Sequence, residues 1–292
     1  MTNEPIITIS NDEITIQIKR HGAELSSIRA CDTEYLWQAD PAFWKRHSPV
    51  LFPIVGSLCQ GCYRVDGQVF KLSQHGFARD LDFECISQTD DQVWYRLESN
   101  ASTKEKYPYD FILEIGYKLI GKSIEVQWRV KNPSDKVLDF QIGAHPAFYY
   151  RPNEGSVKGY FSFDMTHGLR YKLIGEKSCA DVAHSYPTAL TEDGLLEINA
   201  HTFDRDALIF EDSQIKEVTL HDAQKNPYLK LKFTTPLVGL WAPSAASPFV
   251  CIEPWYGRCD RMNYNGEFKE RDWMQHLDAG KTFEGGYTIE IL

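Results

Sequence analysis

The sequence predicts an all-β fold, on three observations. Apolar and polar residues alternate with a period of two in many segments, which is the pattern of a strand with one buried face. Helical patterns are sparse, and turn-forming pairs separate neighbouring strand-like segments. The clearest alternating segments contain Ile14, Ile16 and Ile18; Val93, Tyr95 and Leu97; Phe111, Leu113, Ile115, Tyr117 and Leu119; Ile124, Val126, Trp128 and Val130; Leu229, Leu231 and Phe233; and Tyr287, Ile289 and Ile291.

Two turns and two short helical segments complete the predicted elements. Asp66 and Gly67, in YRVDGQVFKL, suit the positive φ angles of a two-residue hairpin turn. Gly121 and Lys122 similarly separate the two strands that flank them. Residues 41–47 (PAFWKRH) predict one or two helical turns, and residues 267–277 (EFKERDWMQHL) predict one short helix.

A single domain over residues 1–292 is the expected organisation, because large β-sandwiches often reach this length as one unit. Pro and Gly are scattered, and no Ser/Gly tract or charge block marks a linker. The sequence also lacks the internal repeats of a propeller. We therefore expect two large antiparallel sheets that pack face to face and curve around a groove.

Composition disfavours several classes of partner. Hydrophobic residues make up 42% and charged residues 25% of the chain, which is typical of a globular protein with a substantial core. The net charge of -10 argues against nucleic acid, although a local arginine pair would still suit an anionic substrate. The segment MTNEPIITIS lacks the regions of a signal peptide, and no apolar run reaches the roughly 18 residues of a membrane helix. We expect a cytoplasmic protein without nucleic-acid or membrane partners.

The seven cysteines have no regular spacing, so the sequence predicts reduced thiols rather than a disulfide framework. Cys59 and Cys62 form a CxxC pair, but neither a second CxxC nor a nearby His cluster completes a zinc site. We expect two small residues in a glycine-rich turn and no bound metal.

Four stretches interrupt the strand pattern with polar groups among aromatic residues, glycine and proline. They are FWKRHSPVLFPIVG (43–56), SQHGFARDLDF (73–83), GAHPAFYY (143–150) and VCIEPWYGRCDR (250–261). Aromatic faces cover the C–H side of a pyranose, and charged side chains bind its hydroxyl groups. These stretches therefore predict a concave carbohydrate site.

Glu253 is the carboxylate best placed for chemistry. The sequence FVCIEP carries it out of an apolar strand into a proline turn beside Trp255. Partial desolvation there would raise its pKa and make it a better base near neutral pH. The alternative is a structural ion pair between Glu253 and Arg258 or Arg261, and the residues alone leave both open.

The other candidates are two histidines, two arginines and an aspartate. A lone histidine on an apolar strand, such as His145, is more often a hydrogen-bonded core residue than a catalyst. His75 lies next to a glycine in an irregular segment, and Asp206 leads directly into an apolar strand. Arg46 has an unusually apolar setting, whereas Arg79 could equally be a solvated surface charge.

Several enzyme classes lack their usual motifs. The sequence contains no G-x-S-x-G, Walker A, G-x-G-x-x-G or H-E-x-x-H pattern, which weakens serine hydrolase, nucleotide-binding and zincin hypotheses. A glycosidase needs two opposed carboxylates, and Glu253 alone stands in the right kind of sequence setting.

Taken in order, RHSPVLFPIVG, HGFARD, GAHPAFY and EPWYG resemble the aldose 1-epimerase (galactose mutarotase-like) superfamily. The resemblance covers nearly the whole chain. Its nearest branch is similar to the LacX-type proteins, close to the glucose-6-phosphate 1-epimerases. The resemblance implies a β-supersandwich fold, in agreement with the all-β prediction.

The resemblance also implies roles for individual residues. Glu253 matches the family base that takes the proton of the anomeric hydroxyl, and His145 matches the acid that protonates the ring oxygen. His75 matches a second histidine that binds the sugar and supports charge on the oxygen. Arg46 matches a sugar-binding arginine and Asp206 a hydroxyl-binding aspartate, while Trp255 is an expected substrate contact. No cofactor is implied.

The motif around His75 differs from that of true galactose mutarotases, which argues against galactose as substrate. HGFAR is shared with hexose-6-phosphate epimerases, where an arginine near Arg79 helps to hold the phosphate. A second hypothesis is a non-catalytic sugar-binding or sugar-sensing protein on the same fold. For the enzyme, we expect His145 and Glu253 to face one cavity from opposite sides of a pyranose.

Overall fold

The fold consists mainly of antiparallel β-strands, which confirms the all-β prediction. The computed structural model describes residues 5–292. The predicted domain of residues 1–292 thus includes four residues outside the described part. In chain order the strands are β1 (Ile6–Ser10), β2 (Ile14–Lys19), β3 (Glu24–Ala30), β4 (Thr33–Glu34), β5 (Val50–Leu51), β6 (Cys62–Val65), β7 (Gln68–Lys71), β8 (Glu84–Gln88), β9 (Gln92–Glu98), β10 (Ile112–Ile120), β11 (Ser123–Lys131), β12 (Leu138–Phe140), β13 (Ile142–Ala144), β14 (Ala147–Tyr149), β15 (Gly159–Phe163), β16 (Arg170–Ile174), β17 (Ala180–Pro187), β18 (Leu196–Ile198), β19 (Leu208–Phe210), β20 (Glu217–His221), β21 (Pro227–Phe233), β22 (Leu237–Trp241), β23 (Phe249–Tyr256), β24 (Gln275–Leu277) and β25 (Thr282–Ile291).

A nine-stranded antiparallel sheet runs in the order β18-β15-β20-β21-β25-β11-β10-β9-β8. Five of the six segments predicted from alternation lie in its central part, as β9, β10, β11, β21 and β25, and the sixth is β2 in a four-stranded sheet. Ile120 pairs with Ser123, so Gly121 and Lys122 form the predicted turn between β10 and β11. Burial alternates along the whole of β11, as expected for a strand with one face in the core.

The second large sheet has eight strands in the order β17-β16-β19-β22-β23-β13-β5, with β14 also paired to β23. β23 is buried along nearly its entire length. Its sequence, FVCIEPWY, is therefore a nearly continuous apolar run rather than an alternation. A carboxylate inside such a strand is exceptional, because charged side chains are rarely fully buried.

The two large sheets share one apolar core. Its buried residues include Ile115 and Trp128 from the nine-stranded sheet and Phe210 and Val250 from the eight-stranded sheet. This is the face-to-face packing that the sequence predicts. The opposite face of β23 and of its neighbouring strands lies outside this core and forms the cavity described below.

The hairpin predicted at Asp66 and Gly67 is confirmed. β6 and β7 pair from Cys62 with Lys71 to Val65 with Gln68, which leaves a two-residue loop. Asp66 has a φ of 50° and Gly67 a φ of 78°, the left-handed values that this turn requires.

Residues 41–47 begin with one turn, in which the Asp40 carbonyl accepts the Trp44 N–H at 3.0 Å, and this agrees with the prediction of one or two turns. The short helix predicted at residues 267–277 does not form, since the segment contains a single 3-10 turn (Phe268–Glu270) followed by β24. Tertiary contacts override local helix propensity there, because Arg271 is buried in an ion pair with Asp260.

The other helices of the described residues are α1 (Ala101–Lys104) and two further 3-10 turns at Ala78–Asp80 and Glu176–Ser178. Across residues 5–292, no helix combines the length and the apolar character needed to cross a membrane.

The prediction that all the cysteines are reduced is wrong for one pair. A disulfide joins Cys59 to Cys179, 120 residues further along the chain. Cys62, the other half of the CxxC pair, remains a free thiol. The partner of Cys59 is brought close only by the fold, so spacing along the sequence could not reveal it.

Candidate active site

A cavity of about 180 Å³ opens on the outer side of the eight-stranded sheet. All four polar stretches found in the sequence contribute to its wall, which also includes Ser57, Trp241 and residues from segments 174–178 and 206–209. The lining residues are Trp44, Val55, Gly56, Ser57, Gln74, His75, Arg79, His145, Ile174, Ser178, Asp206, Ala207, Ile209, Trp241, Glu253, Trp255 and Cys259. Six of the seven site residues predicted from the sequence therefore meet in one place. Arg46 is the exception.

His145 and Glu253 form a contact pair on the cavity floor. Glu253 lies in β23, and His145 lies in the short connection between β13 and β14, which both pair with β23. His145 Nε2 is 3.2 Å from Glu253 Oε2. The two atoms are close but are not aligned as a hydrogen bond, and within residues 5–292 neither Glu253 Oε2 nor His145 Nδ1 has a hydrogen-bond partner. The expectation that the two groups approach a sugar from opposite sides is wrong, since they lie side by side.

The structure removes the alternative role of Glu253 as a partner of Arg258 or Arg261. Arg258 Nε donates to Glu211 at 2.5 Å, and its Nη2 donates to Asp272 at 2.7 Å. Arg261 also pairs with Asp272. Both arginines are thus bound to other carboxylates, and Glu253 is left facing the cavity at 2% exposure.

Burial sets the protonation of the pair. It raises the pKa of the Glu253 carboxyl well above its usual range, and the nearby Asp206 carboxylate raises that pKa further. Burial lowers the pKa of His145 to about 3, and the positive charges of Arg79 and Arg46 act in the same direction. Both shifts favour a pair that holds its proton on Glu253 rather than on His145. One member can give a proton while the other takes one.

His75 is held as a neutral hydrogen-bond donor. Its Nδ1 accepts the Gly56 N–H at 3.0 Å, so the proton of the neutral ring lies on Nε2. Burial, followed by the charges of His145, Arg79 and Arg46, lowers the pKa of His75 well below its usual value. Its ring meets that of His145 nearly at right angles, with centroids 5.5 Å apart. His75 can donate a hydrogen bond from Nε2 to a ligand oxygen. At neutral pH it is not an imidazolium, so it does not act as a general acid.

Trp255 forms one wall of the cavity, and its ring fits there because a neighbouring residue is glycine. It lies two residues after Glu253 in β23, on the same face of the strand. A Cβ at Gly239, in the neighbouring strand β22, would come within 2.4 Å of the Trp255 ring. The ring can occupy this position only because residue 239 is glycine. Trp255 also acts on Glu253, because its N–H as a hydrogen-bond donor lowers the pKa of that carboxyl and so opposes the effect of burial.

Arg79 and Asp206 line the cavity with opposite charges. Arg79 Nη2 donates to the Gln74 carbonyl at 2.6 Å, while its buried Nε has no hydrogen-bond partner among the described residues. Burial, with Arg46 close by, lowers the pKa of Arg79 to about 10, so it stays cationic at neutral pH. Asp206, which precedes β19, accepts the N–H of Ala207 at 2.7 Å.

Arg46 lies beside the cavity and does not form part of its wall. Its Nη2 donates to Asp80 Oδ1 at 2.7 Å. It acts on the site through its charge, which lowers the pKa of both His145 and His75. A direct contact between Arg46 and a sugar remains a prediction from the sequence.

Sequence reasoning missed several wall residues, above all Trp44 and Trp241. The Trp44 ring stacks on His145 with centroids 4.8 Å apart, and the Trp241 ring meets His145 nearly perpendicularly at 5.4 Å. A tryptophan inside a polar stretch was an available signal for Trp44. Trp241 ends an otherwise ordinary apolar strand, so its sequence gives no such signal.

His145, Glu253 and Cys251 are the described residues that could together approach a metal ion, since each has a ligand atom within 4.8 Å of the others. Cys251 and Glu253 are two residues apart in β23 and share a face. Burial raises the pKa of the Cys251 thiol well above its usual value. The thiol is therefore protonated at neutral pH.

The chain is similar to several known proteins over nearly its whole length. Residues 5–286 match the sequence profile of the family described as aldose 1-epimerase. The chromosomal protein LacX of Lactococcus lactis subsp. lactis is 30% identical over 309 residues, which cover 98% of this chain and 99% of LacX. A galactose mutarotase related enzyme from Lactobacillus acidophilus has a similar structure, with a TM-score of 0.91 at 33% identity over 99% of this chain and 97% of the other. For a galactose mutarotase-like protein from Lactobacillus casei ATCC 334, the TM-score is 0.92 at 27% identity, over 99% and 100% of the two chains.

Proposed function

This chain belongs to the aldose 1-epimerase family, and on that basis we propose that it is a mutarotase that interconverts the α and β anomers of a hexose or hexose phosphate. The observation that carries the proposal is the contact between His145 and Glu253 in the cavity. A cavity of about 180 Å³ is small among ligand pockets, which suits a single sugar ring.

The reaction needs one proton acceptor and one proton donor near the same sugar carbon. Glu253 takes the proton from the anomeric hydroxyl, and His145 gives a proton to the ring oxygen, so that the bond between C1 and the ring oxygen breaks. Rotation about the bond between C1 and C2 presents the other face of the aldehyde. The reverse transfers close the ring, giving the second anomer and restoring both side chains.

The side-by-side placement of the pair fits this chemistry. The anomeric hydroxyl and the ring oxygen are attached to the same carbon, so the groups that exchange protons with them must be neighbours. The raised pKa of Glu253 and the lowered pKa of His145 favour the shared proton on Glu253 before the sugar reacts. The cycle begins once it has moved across the 3.2 Å contact to His145, which leaves a carboxylate to act as base.

The other wall residues supply binding and orientation. The Nε2–H of His75 can donate to the sugar oxygen on which negative charge develops, a role in which a fixed neutral donor is effective. The Trp255 ring can cover a C–H face of the sugar, while Asp206 and Arg79 can bind hydroxyl groups.

The first prediction concerns the catalytic pair. We expect His145→Ala and Glu253→Gln each to lower the rate of anomer exchange by about 100-fold or more, which is the usual contribution of a general acid or base. The measurement is NMR exchange spectroscopy or polarimetry on glucose, galactose and their 6-phosphates.

The matched control is His184→Ala, since His184 is exposed and paired to Asp181 at the surface. It should retain the wild-type rate. Sugar binding without exchange in the wild-type protein would instead favour a sugar sensor, and release of an aglycone from a chromogenic glycoside would favour a glycosidase.

A further inference from the structure

A column of four stacked rings leads from the protein core to His145. Trp37 stacks on Phe249 with centroids 4.5 Å apart, Phe249 faces Trp44 at 6.0 Å, and Trp44 stacks on His145 at 4.8 Å. The interplanar angles are 27°, 29° and 28°. Each ring is thus tilted by less than 30° from the next one in the column.

The column is rigid at its inner end. Trp37 and Phe249 are almost completely buried, and Trp37 Nε1 donates to the Trp44 carbonyl at 2.8 Å. This hydrogen bond joins the backbone of Trp44 to Trp37, which is two rings away in the same column. The backbone of Trp44 is therefore tied to a buried ring at the inner end of the column.

The charged surroundings of His145 oppose the state that the reaction requires. Arg79 and Arg46 repel a positive imidazolium, and burial removes the water that would otherwise solvate it. His75 faces the ring as a neutral group, and the Cys251 thiol is protonated by burial. Glu253 is the described acidic neighbour in contact with the ring.

The face of an indole carries negative quadrupole charge and attracts a cation stacked on it. Trp44 presents this face to His145 from one side, and Trp241 restricts the ring from a nearly perpendicular direction. We propose that Trp44 is a positioning residue of the reaction: its stacked indole holds the His145 ring beside Glu253 and stabilises the imidazolium that forms when the shared proton moves to His145. This inference rests on the proposed function, because the imidazolium is the acid of that mechanism.

The test compares Trp44→Leu, which removes the aromatic face, with Trp44→Phe, which keeps one. We expect Trp44→Leu to lower kcat by roughly 3- to 30-fold, the range of a partly desolvated cation–π contact, with KM changed by about twofold or less. The basic limb of the kcat profile should move to lower pH by about 0.5 to 1 unit, since the cation loses stabilisation and gives up its proton more easily. Trp44→Phe should restore most of kcat and of the profile.

A sugar platform at Trp44 would give a different result. If Trp44→Leu raised KM and left kcat and the pH profile unchanged, the indole would be binding substrate and the inference would be wrong. Phe43→Leu is the matched control, because Phe43 is the exposed neighbour that contacts Trp37 and not His145. It should behave as the wild type does.

A second readout is independent of turnover. Crystal structures of the wild type and the variants at one pH should show His145 Nε2 near Glu253 Oε2 in the wild type and in Trp44→Phe, and a displaced or disordered imidazole in Trp44→Leu. An unmoved imidazole in Trp44→Leu would contradict the positioning role even if the protein catalyses no exchange. If Trp44→Leu does not fold, Trp44→Met provides the same non-aromatic comparison.

Discussion

Glu253 combines deep burial with the absence of a basic hydrogen-bond donor, and we propose that this combination makes it reactive. Its carboxyl is 2% exposed, and the imidazole 3.2 Å from it has a lowered pKa of its own. A residue selected for stability alone would be neutral in this place, because a buried charge without compensation is costly. On this proposal, the ionisable group that transfers the proton lowers the stability of the folded protein.

Replacing Glu253 with Gln should therefore stabilise the protein while it abolishes exchange. At pH 7 the unfolded carboxyl is ionised and solvated, whereas the folded protein must keep it protonated or bury its charge. We expect Glu253→Gln to raise the free energy of unfolding by about 1 to 3 kcal/mol at pH 7, measured by urea denaturation.

The pH dependence of this gain follows from the raised pKa of Glu253. Below the ordinary carboxyl pKa of about 4.3, both states of the wild type are protonated and the difference should vanish. It should grow as the pH rises from there towards the raised folded value. A gain that is constant from pH 4 to pH 8 would show that burial of the ionisable group is not its cause.

At the scale of the element, the pairing of β22 with β23 positions the Glu253 carboxylate. The register of this pair requires a residue without a side chain in β22. Gly239 lies opposite Glu253, and its lack of a Cβ admits the Trp255 ring over β22. The same strand β23 carries Cys251, Glu253 and Trp255 on one face. One strand therefore brings both the proton-transfer group and an aromatic wall to the cavity.

Adding one methyl group at residue 239 should displace Trp255. In Gly239→Ala the new Cβ would meet the indole at 2.4 Å, so the ring must move. We expect a loss of about 1 to 3 kcal/mol in unfolding free energy and a raised KM, measured by urea denaturation and by exchange kinetics. Gly155→Ala is the control, since a Cβ there meets nothing closer than 3.4 Å. Unchanged KM in Gly239→Ala would remove Trp255 from the binding site.

At the scale of the whole molecule, the disulfide between Cys59 and Cys179 fastens two parts of the cavity wall. Ser57 and Ser178, each within two residues of a bonded cysteine, line the cavity. One part follows β5 and the other precedes β17, so the bond closes a long stretch of chain around the site.

Reduction of this bond should destabilise the fold. A loop of 120 residues gives an expected loss of about 3 to 5 kcal/mol in unfolding free energy, because the unfolded chain regains conformational freedom. Denaturation with and without a phosphine reductant measures the loss. The double variant Cys59→Ser/Cys179→Ser should not respond to reductant. The prediction would be contradicted if the unfolding free energy of the wild type also did not change with reductant and mass spectrometry found no cross-linked peptide.

The sequence by itself determined the class of fold and most of the site. Period-two alternation found the strands that have one face in the core, and local turn chemistry found the hairpin at Asp66 and Gly67, since both depend on neighbouring residues only. The four polar stretches were recognisable because histidine, arginine and glutamate are unusual among aromatic residues and glycine. Tertiary structure decided what depends on residues far apart in the chain. It decided the contact of His145 with Glu253, the release of Glu253 from Arg258 and Arg261, the bond from Cys59 to Cys179, and the stacking of Trp44 on His145. A distance between side chains from different strands is fixed by sheet register and packing, and a single sequence does not encode these in any local pattern.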